Sequence, residues 1–193
     1  MKKYILSGIF SVITVLSFAQ TERHLSFKGV PLEGTLNEYV AKMKQNGFTL
    51  IKTEEESAFL HGDFAGYKSC IVGVSTLKQK DLVYKIAVIF PESDTWSSLS
   101  SNYFNLKDML TEKYGDPAVE IEKFDTYSEP RDDRGRMHAV QFDNCKYQSI
   151  WSMEQGQIEL SIDHQSVLSC YVRLLYFDKI NGDKIKSSAI DDL

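Results

Sequence analysis

Two pairs of histidine and aspartate have the residue types that metal or acid–base chemistry uses. His61 and Asp63 lie two residues apart in a strand-like segment, so their side chains share one face of that strand. Asp143 and His164 lie in the later part of the chain. Imidazole nitrogen and carboxylate oxygen can bind Zn²⁺, and the same groups transfer protons in hydrolases. These four residues are the candidate active-site residues if the protein is an envelope hydrolase or a metal-dependent enzyme. This enzymatic function is the alternative to a non-enzymatic binding role.

The chain carries no complete catalytic or cofactor motif. The sequence lacks HExxH, GxSxG, a phosphate-binding P-loop and a dinucleotide fingerprint. The charged segment 129–136, "EPRDDRGR", contains Asp132 and Asp133 but not the acidic loop pattern of a Ca²⁺ site. We interpret it as a solvated loop between strands. No catalytic residue, metal site or cofactor is therefore predicted, and a non-enzymatic role is preferred.

The N-terminus has the pattern of a signal peptide. Lys2 and Lys3 precede a mostly apolar stretch, and "SFA" at 17–19 places small residues at the cleavage positions before Gln20. The alternative is an uncleaved anchor, which the short apolar stretch disfavours because a bilayer span needs about 20 apolar residues. We therefore predict a signal peptide at 1–19 and an exported protein, periplasmic or secreted.

Charge and length limit the function classes further. The chain has 22 basic and 27 acidic side chains, and removal of Lys2 and Lys3 changes its formal net charge from −5 to −7. Nucleic acid is not an expected partner, because its phosphates require clustered basic residues. No later segment is apolar enough to predict a membrane span. The remaining residues fit a single domain at 20–182 followed by a flexible tail at 183–193.

The cysteines leave two alternatives open. Cys70, Cys145 and Cys170 all lie in strand-like runs, where cysteine often serves as a small buried residue. An exported compartment also permits a bridge between Cys145 and Cys170. An odd number of cysteines leaves at least one of them as a free thiol in either case.

The first predicted unit, within residues 27–91, is a helix followed by strands. Thr35 and Glu38 form the pattern of a capping box, and Gly47 suits the end of the helix. Apolar alternation then predicts four strands, at 48–53, 58–67, 68–77 and 82–90. These strands are expected to form an antiparallel ladder.

The second predicted unit, within residues 95–178, has the same order. Its helix starts near Ser97 and Ser98 and ends at Gly115. Strands are predicted at 118–124, 138–142, 146–153, 157–163 and 169–177. The closing strands of the two units align, with Lys85 at the position of Arg173. The alternative is that two unrelated segments look alike. We predict an α+β fold of pseudo-duplicated helix-then-antiparallel-strands units, a sheet with helices packed on one face.

Residues 27–48, "FKGVPLEGTLNEYVAKMKQNGF", after the export signal ending "SFAQ", resemble uncharacterised secreted proteins of Bacteroidetes. The order of elements is similar to the tandem helix-plus-strands architecture of β-lactamase-inhibitor-protein-like domains and of small outer-membrane assembly lipoproteins. The chain departs from those lipoproteins by lacking a cysteine to carry the lipid. The resemblance implies a protein partner and transfers no functional residue.

The strand phases place a mixed set of side chains on the sheet face away from the helices. Aromatic residues together with arginine are typical of protein interfaces. The candidate binding residues are Lys85, Glu159, Tyr171, Arg173 and Phe177. The alternative is that this face packs under a loop, a lead-in strand or a second molecule. The preferred function is an exported binding module of the bacterial cell envelope, with a possible protein partner there.

Overall fold

A computed structural model describes residues 24–77 and 80–191 of the 193-residue chain. The predicted signal peptide lies outside the described residues. The helices are Leu36–Gln45 (α1), Trp96–Tyr114 (α2), Asp133–Gln141 (α3) and Lys179–Asp191 (α4). The strands are Ser26–Phe27 (β1), Val30–Pro31 (β2), Thr49–Thr53 (β3), Ser57–Phe64 (β4), Tyr67–Leu77 (β5), Lys80–Ile89 (β6), Val119–Phe124 (β7), Cys145–Met153 (β8), Gly156–Ser166 (β9) and Ser169–Asp178 (β10). The α+β class predicted from the sequence is confirmed.

The main sheet has eight antiparallel strands in the order β3-β4-β5-β6-β10-β9-β8-β7. The first half, α1 with β3 to β6, runs from one edge of the sheet to its centre. The second half, α2 with β7 to β10, runs from the other edge to the centre. Helix α3 is inserted between β7 and β8. Each half is thus a helix followed by a four-stranded antiparallel ladder.

The two closing strands meet in a symmetric register. Lys85 pairs with Phe177, and Ile89 pairs with Arg173. The alignment of Lys85 with Arg173 also places Ile89 at the position of Phe177, so exchanging the two strands preserves the pairing. A pseudo-twofold axis therefore passes near the Ala87–Leu175 pair.

All four helices pack against the sheet. α1 packs on β3 to β6, α2 on β9 and β10, α3 on β8 and β9, and α4 on β6, β9 and β10. Tyr39, Met43, Leu99 and Tyr103 are helix residues buried in this layer. The strands supply alternate residues to the same core, including Val72. Hydrophobic burial between the helices and one sheet face is thus the main stabilisation of the fold.

The beginnings of α1 and α2 are each capped by a local threonine and by a distant aspartate. The predicted capping box is confirmed: Thr35 accepts from the amide of Glu38, and Glu38 accepts from the amide of Thr35. α2 begins one residue earlier than Ser97, after the cap Thr95. A distant carboxylate, Asp133, also accepts from the amide of Ser97 at 2.7 Å. α1 likewise has a distant contact, because the amide of Leu36 donates to Asp81 at 2.9 Å. Each helix therefore has a local cap and a second one from a carboxylate distant in sequence.

Segment 138–142, predicted as a strand, lies mostly within helix α3. Its alternation of apolar residues suggested a strand, but Met137 and Val140 lie three apart and are buried on one helix side. Asp132, in the predicted solvated loop, accepts from the amide of Gly135 and caps this helix. Packing and capping therefore decided the structure of this segment.

The chain also differs from the prediction at its end. Residues 183–193 were expected to be a flexible tail, but α4 continues through Asp191. Its residue Ile185 is buried, and the side-chain amide of Asn181 donates to the carbonyl of Val83. Asp178 accepts from the amide of Asn181 at 2.9 Å, which supports the first turn. These contacts hold a polar segment in helical form.

The three cysteines are free thiols, so the Cys145–Cys170 bridge is not formed. Cys70 and Cys170 are buried, and Cys145 is half-buried. Burial raises the pKa of Cys145 to about 12, so this thiol stays protonated at neutral pH. Each thiol therefore acts as an apolar core residue in this structure.

Candidate functional site

The central strands bury one face beneath the helices, and no helix of the described residues packs on the other face. In β10, Val172, Leu174 and Tyr176 are buried, whereas Arg173 and Leu175 are half-buried. This alternation confirms the strand phase predicted for β10. We call the second side the open face; it carries the candidate binding residues and the residues that pair with them across the ladders.

The centre of the open face is apolar. The ladder registers align Phe59 with Gly73, Gly73 with Ala87, and Ala87 with Leu175 in one row across four strands. We use the name apolar patch for the half-buried residues on and beside this row: Phe59, Ile71, Ala87, Ile89, Leu175 and Phe177. Such a patch on central strands is suited to contact with another apolar surface.

A compact ionic cluster adjoins the patch. Arg173 Nη1 lies 2.6 Å from Asp163 Oδ2, and Arg173 Nη2 lies 3.8 Å from Glu159 Oε1. Ser161 pairs with Arg173 across the strands and is 7% exposed. In the described part of the chain, Arg173 Nε and Ser161 Oγ have no hydrogen-bond partner. Arg173 is therefore held by carboxylates of its own chain.

The remaining candidate residues have different surroundings. Tyr171 lies on the open face opposite Asp163 but is only 9% exposed, and burial raises its pKa. Lys85 pairs with Ser75 and with Phe177. Among residues 24–77 and 80–191, Lys85 forms no ion pair; its ammonium lies 6.0 Å from the centroid of the Tyr84 ring, the outer limit of a cation–π contact.

The candidate enzyme residues form two unconnected contacts. Asp143 Oδ1 lies 3.0 Å from His164 Nε2 in the second half. Asp63 binds Lys68 and the amide of Ser69 near the β4–β5 turn, and hydrogen bonding by Lys68 lowers the pKa of Asp63. His61 is exposed on the open face. Within the described residues, no three histidine, cysteine, aspartate or glutamate side chains group as metal ligands.

A groove beside α2 was not found from the sequence. It has a volume of about 480 Å³ and lies between the β4–β5 turn and α2. Tyr67, Asn105, Asp108, Met109 and Glu112 line it. Asp108 and Glu112 are four residues apart, so they share one side of the helix, but sequence spacing alone could not place the β4–β5 turn opposite them. The groove offers an acidic rim and one exposed methionine.

No family model, curated protein or solved structure matches this chain. In the described part, no helix combines the length and the apolar character that a membrane span requires. The chemistry of the open face and of the groove is thus the basis for a functional proposal.

Proposed function

We propose that this chain is an exported, non-enzymatic binding module of the bacterial cell envelope that binds a protein partner through the open face. The observation that carries the proposal is the apolar patch, which lies on the central strands where the described helices do not cover it. Its residues are half-buried, and a contiguous apolar patch on a folded domain often marks an interaction site. The candidate binding residues Lys85, Glu159, Tyr171, Arg173 and Phe177 lie in or beside it.

The charge of the open face identifies the chemistry of the partner. The chain as a whole has a net charge of −5. The open face nevertheless carries five cations, Lys52, Lys85, Lys123, Lys146 and Arg173. Glu54 and Asp125 contact Lys52 and Lys123, and Glu159 and Asp163 contact Arg173, which leaves Lys85 and Lys146 without an ion pair among the described residues. The partner is therefore a protein surface that combines apolar and acidic side chains.

Two lysines at the edge of the sheet support this assignment. Lys123 and Lys146 are directly opposed in the ladder between β7 and β8. Like charges in this arrangement destabilise a sheet. Asp125 contacts Lys123, so the positive charge of Lys146 is available to an acidic group of a partner.

The open face is large enough for a stable complex. Eight strands spaced by about 4.8 Å give a width of roughly 34 Å, and nine residues of a strand span about 30 Å. The resulting area, roughly 1000 Å², exceeds the ~800 Å² that each partner buries in an average protein complex. A partner can thus bind without any rearrangement of the helices.

The binding proposal is tested with a display library of random twelve-residue peptides. Selection on the purified protein is expected to enrich peptides with acidic and apolar residues. Titration of an enriched peptide is expected to shift the amide NMR signals of β5, β6 and β10. Leu175→Asp should abolish binding, because it adds a negative charge to the apolar patch, while Met109→Asp in the groove should not.

Thermal melting of both variants is the folding control. Met109 is 49% exposed, so its aspartate variant should melt close to the wild type. Enrichment of basic peptides, or signal shifts confined to α2, would move the site to the groove and contradict the proposal. Failure of every library member to bind would remove its support.

Export has a separate test. Expression of the full chain in a bacterium should yield a protein in the cell envelope or medium whose mass corresponds to a start at Gln20. An intact chain retained in the cytoplasm would contradict export without affecting the binding test.

A further inference from the structure

The pseudo-twofold axis relates two cations that have different surroundings. Lys85 in β6 and Arg173 in β10 occupy equivalent positions beside the central pair of strands. Each lies directly across from a serine of the preceding strand: Ser75 pairs with Lys85, and Ser161 pairs with Arg173. The second half therefore serves as an internal reference for the first.

The second half supplies carboxylates for its cation. Glu159 and Asp163 lie two residues on either side of Ser161 in β9, and both contact Arg173. The corresponding positions on either side of Ser75 in β5 are Gly73 and Leu77. The first half thus keeps the cation and the serine but lacks both carboxylates.

The place of the missing side chain at Gly73 is open. A Cβ atom on Gly73 would lie 3.7 Å from the ring of Phe59 and 3.8 Å from the Cβ of Ala87, which are ordinary van der Waals contacts. The niche above Gly73 is therefore bounded by two residues of the apolar patch and lies beside Lys85. A Cβ atom at this position therefore fits without displacing the backbone.

Resting on the proposed function, we infer that Lys85 binds a side-chain carboxylate of the partner. An aspartate or glutamate of the partner enters the niche above Gly73, in the position that Glu159 holds beside Arg173. Its apolar neighbours pack on Phe59 and Leu175. Because the niche is partly shielded from water, a charged hydrogen bond to Lys85 discriminates against partners that lack the carboxylate.

The matched variants are Gly73→Glu and Gly73→Gln. Gly73→Glu supplies the missing carboxylate from the chain itself, whereas Gly73→Gln fills the same space without charge. The probes are the blocked peptides acetyl-Phe-Glu-Leu-amide and acetyl-Phe-Gln-Leu-amide, titrated while the amide NMR signals of the purified protein are followed. In the wild type, the glutamate peptide should bind about fivefold more tightly than the glutamine peptide. In Gly73→Gln, which fills the niche but leaves Lys85 without a carboxylate, both peptides should bind more weakly and a reduced preference for glutamate should remain.

In Gly73→Glu and in Lys85→Gln, this preference should fall to about one. Equal binding of both peptides to the open face of the wild type would overturn the role of Lys85 while leaving the proposed function intact. A preference that persists in Gly73→Glu would also overturn it. Failure of both peptides and of the whole library to bind would instead count against the proposed function.

Two further measurements separate other sources of the carboxylate. Tighter binding of acetyl-Phe-Gln-Leu with a free C-terminus than of the glutamate peptide would assign the niche to a chain terminus and overturn the side-chain assignment. Sedimentation of the protein alone tests a second copy as the occupant. If the protein dimerises and Gly73→Glu abolishes the dimer, a second copy of this chain occupies the niche. That result would overturn the inference that a separate partner supplies the carboxylate.

Discussion

The two halves of the sheet bury similar residues beneath the helices but present different residues on the open face. On the buried side, Val72 of β5 corresponds to Ile158 of β9, and both are fully buried. On the open face, Ile71 and Gly73 of β5 correspond to Gln157 and Glu159 of β9. Helix packing limits the residue types on the buried side, whereas no helix of the described residues packs on the open face. This difference supports the proposal that a partner is recognised through the open face.

The helix side has its own asymmetry. Leu60 in β4 and Trp151 in β8 occupy equivalent buried positions. Trp151 also donates its indole N–H to the carbonyl of Gly115 at 2.8 Å, which joins β8 to the end of α2. The second half thus combines packing and hydrogen bonding at a position where the first half uses packing alone.

The largest expected effect comes from truncating this equivalent pair. Trp151→Ala should lower the free energy of unfolding by about 3–5 kcal/mol, and Leu60→Ala by about 2–5 kcal/mol. We expect the loss of free energy of unfolding to be larger by about 1 kcal/mol for Trp151→Ala than for Leu60→Ala, because Trp151→Ala also removes a hydrogen bond. Chemical denaturation measures both, and Trp151→Phe separates the hydrogen bond from most of the ring packing. A greater loss of free energy of unfolding for Leu60→Ala would contradict the view that Trp151 contributes more than Leu60 at this equivalent position.

A smaller effect is expected from neutralising the two equivalent cations. Arg173→Gln should lower the free energy of unfolding by about 1 kcal/mol, because Asp163 loses its partner. Lys85→Gln should change it by less than about 0.5 kcal/mol, because no carboxylate of the described residues contacts that side chain. Denaturation at low and high salt measures both variants. If Lys85→Gln lowers the free energy of unfolding as much as Arg173→Gln does, Lys85 stabilises the fold through a contact other than an ion pair.

The smallest effect concerns the distant cap of α2. Hydrogen bonding by Ser97 lowers the pKa of Asp133 in the folded protein, so its stabilisation is present above the unfolded pKa and is lost as pH falls through the folded value. Asp133→Asn should therefore melt slightly below the wild type above about pH 5, with the gap closing below about pH 4. Thermal melting across this range measures it.

Asp116→Asn is the control for Asp133→Asn, because it removes the same charge from an exposed position after α2. It should melt like the wild type at each pH. Parallel behaviour of the two variants would mean that the distant cap adds nothing to the stability of α2.

Much of the fold could be predicted because its signals are local. The capping box of Thr35 and Glu38 lies within four residues, and the alternation in β10 depends only on neighbouring residues. The alignment of Lys85 with Arg173 was available from the closing strands alone. The candidate binding residues could be placed on one face of the sheet because strand phase decides which side chains share a face. Their contacts were not predicted, because Asp163 reaches Arg173 only after β9 and β10 pair.

The sequence by itself determined α1, α2 and the strands that follow each of them, the duplicated pattern and the faces of the closing strands, since each depends on spacing along the chain. Only the tertiary structure decided that α3 and α4 are helices, that Arg173 has internal carboxylate partners, and that Lys85 has none among the described residues. These outcomes depend on residues that are distant in sequence and become neighbours when the strands pair and the helices pack. Local propensity carries no information about such neighbours.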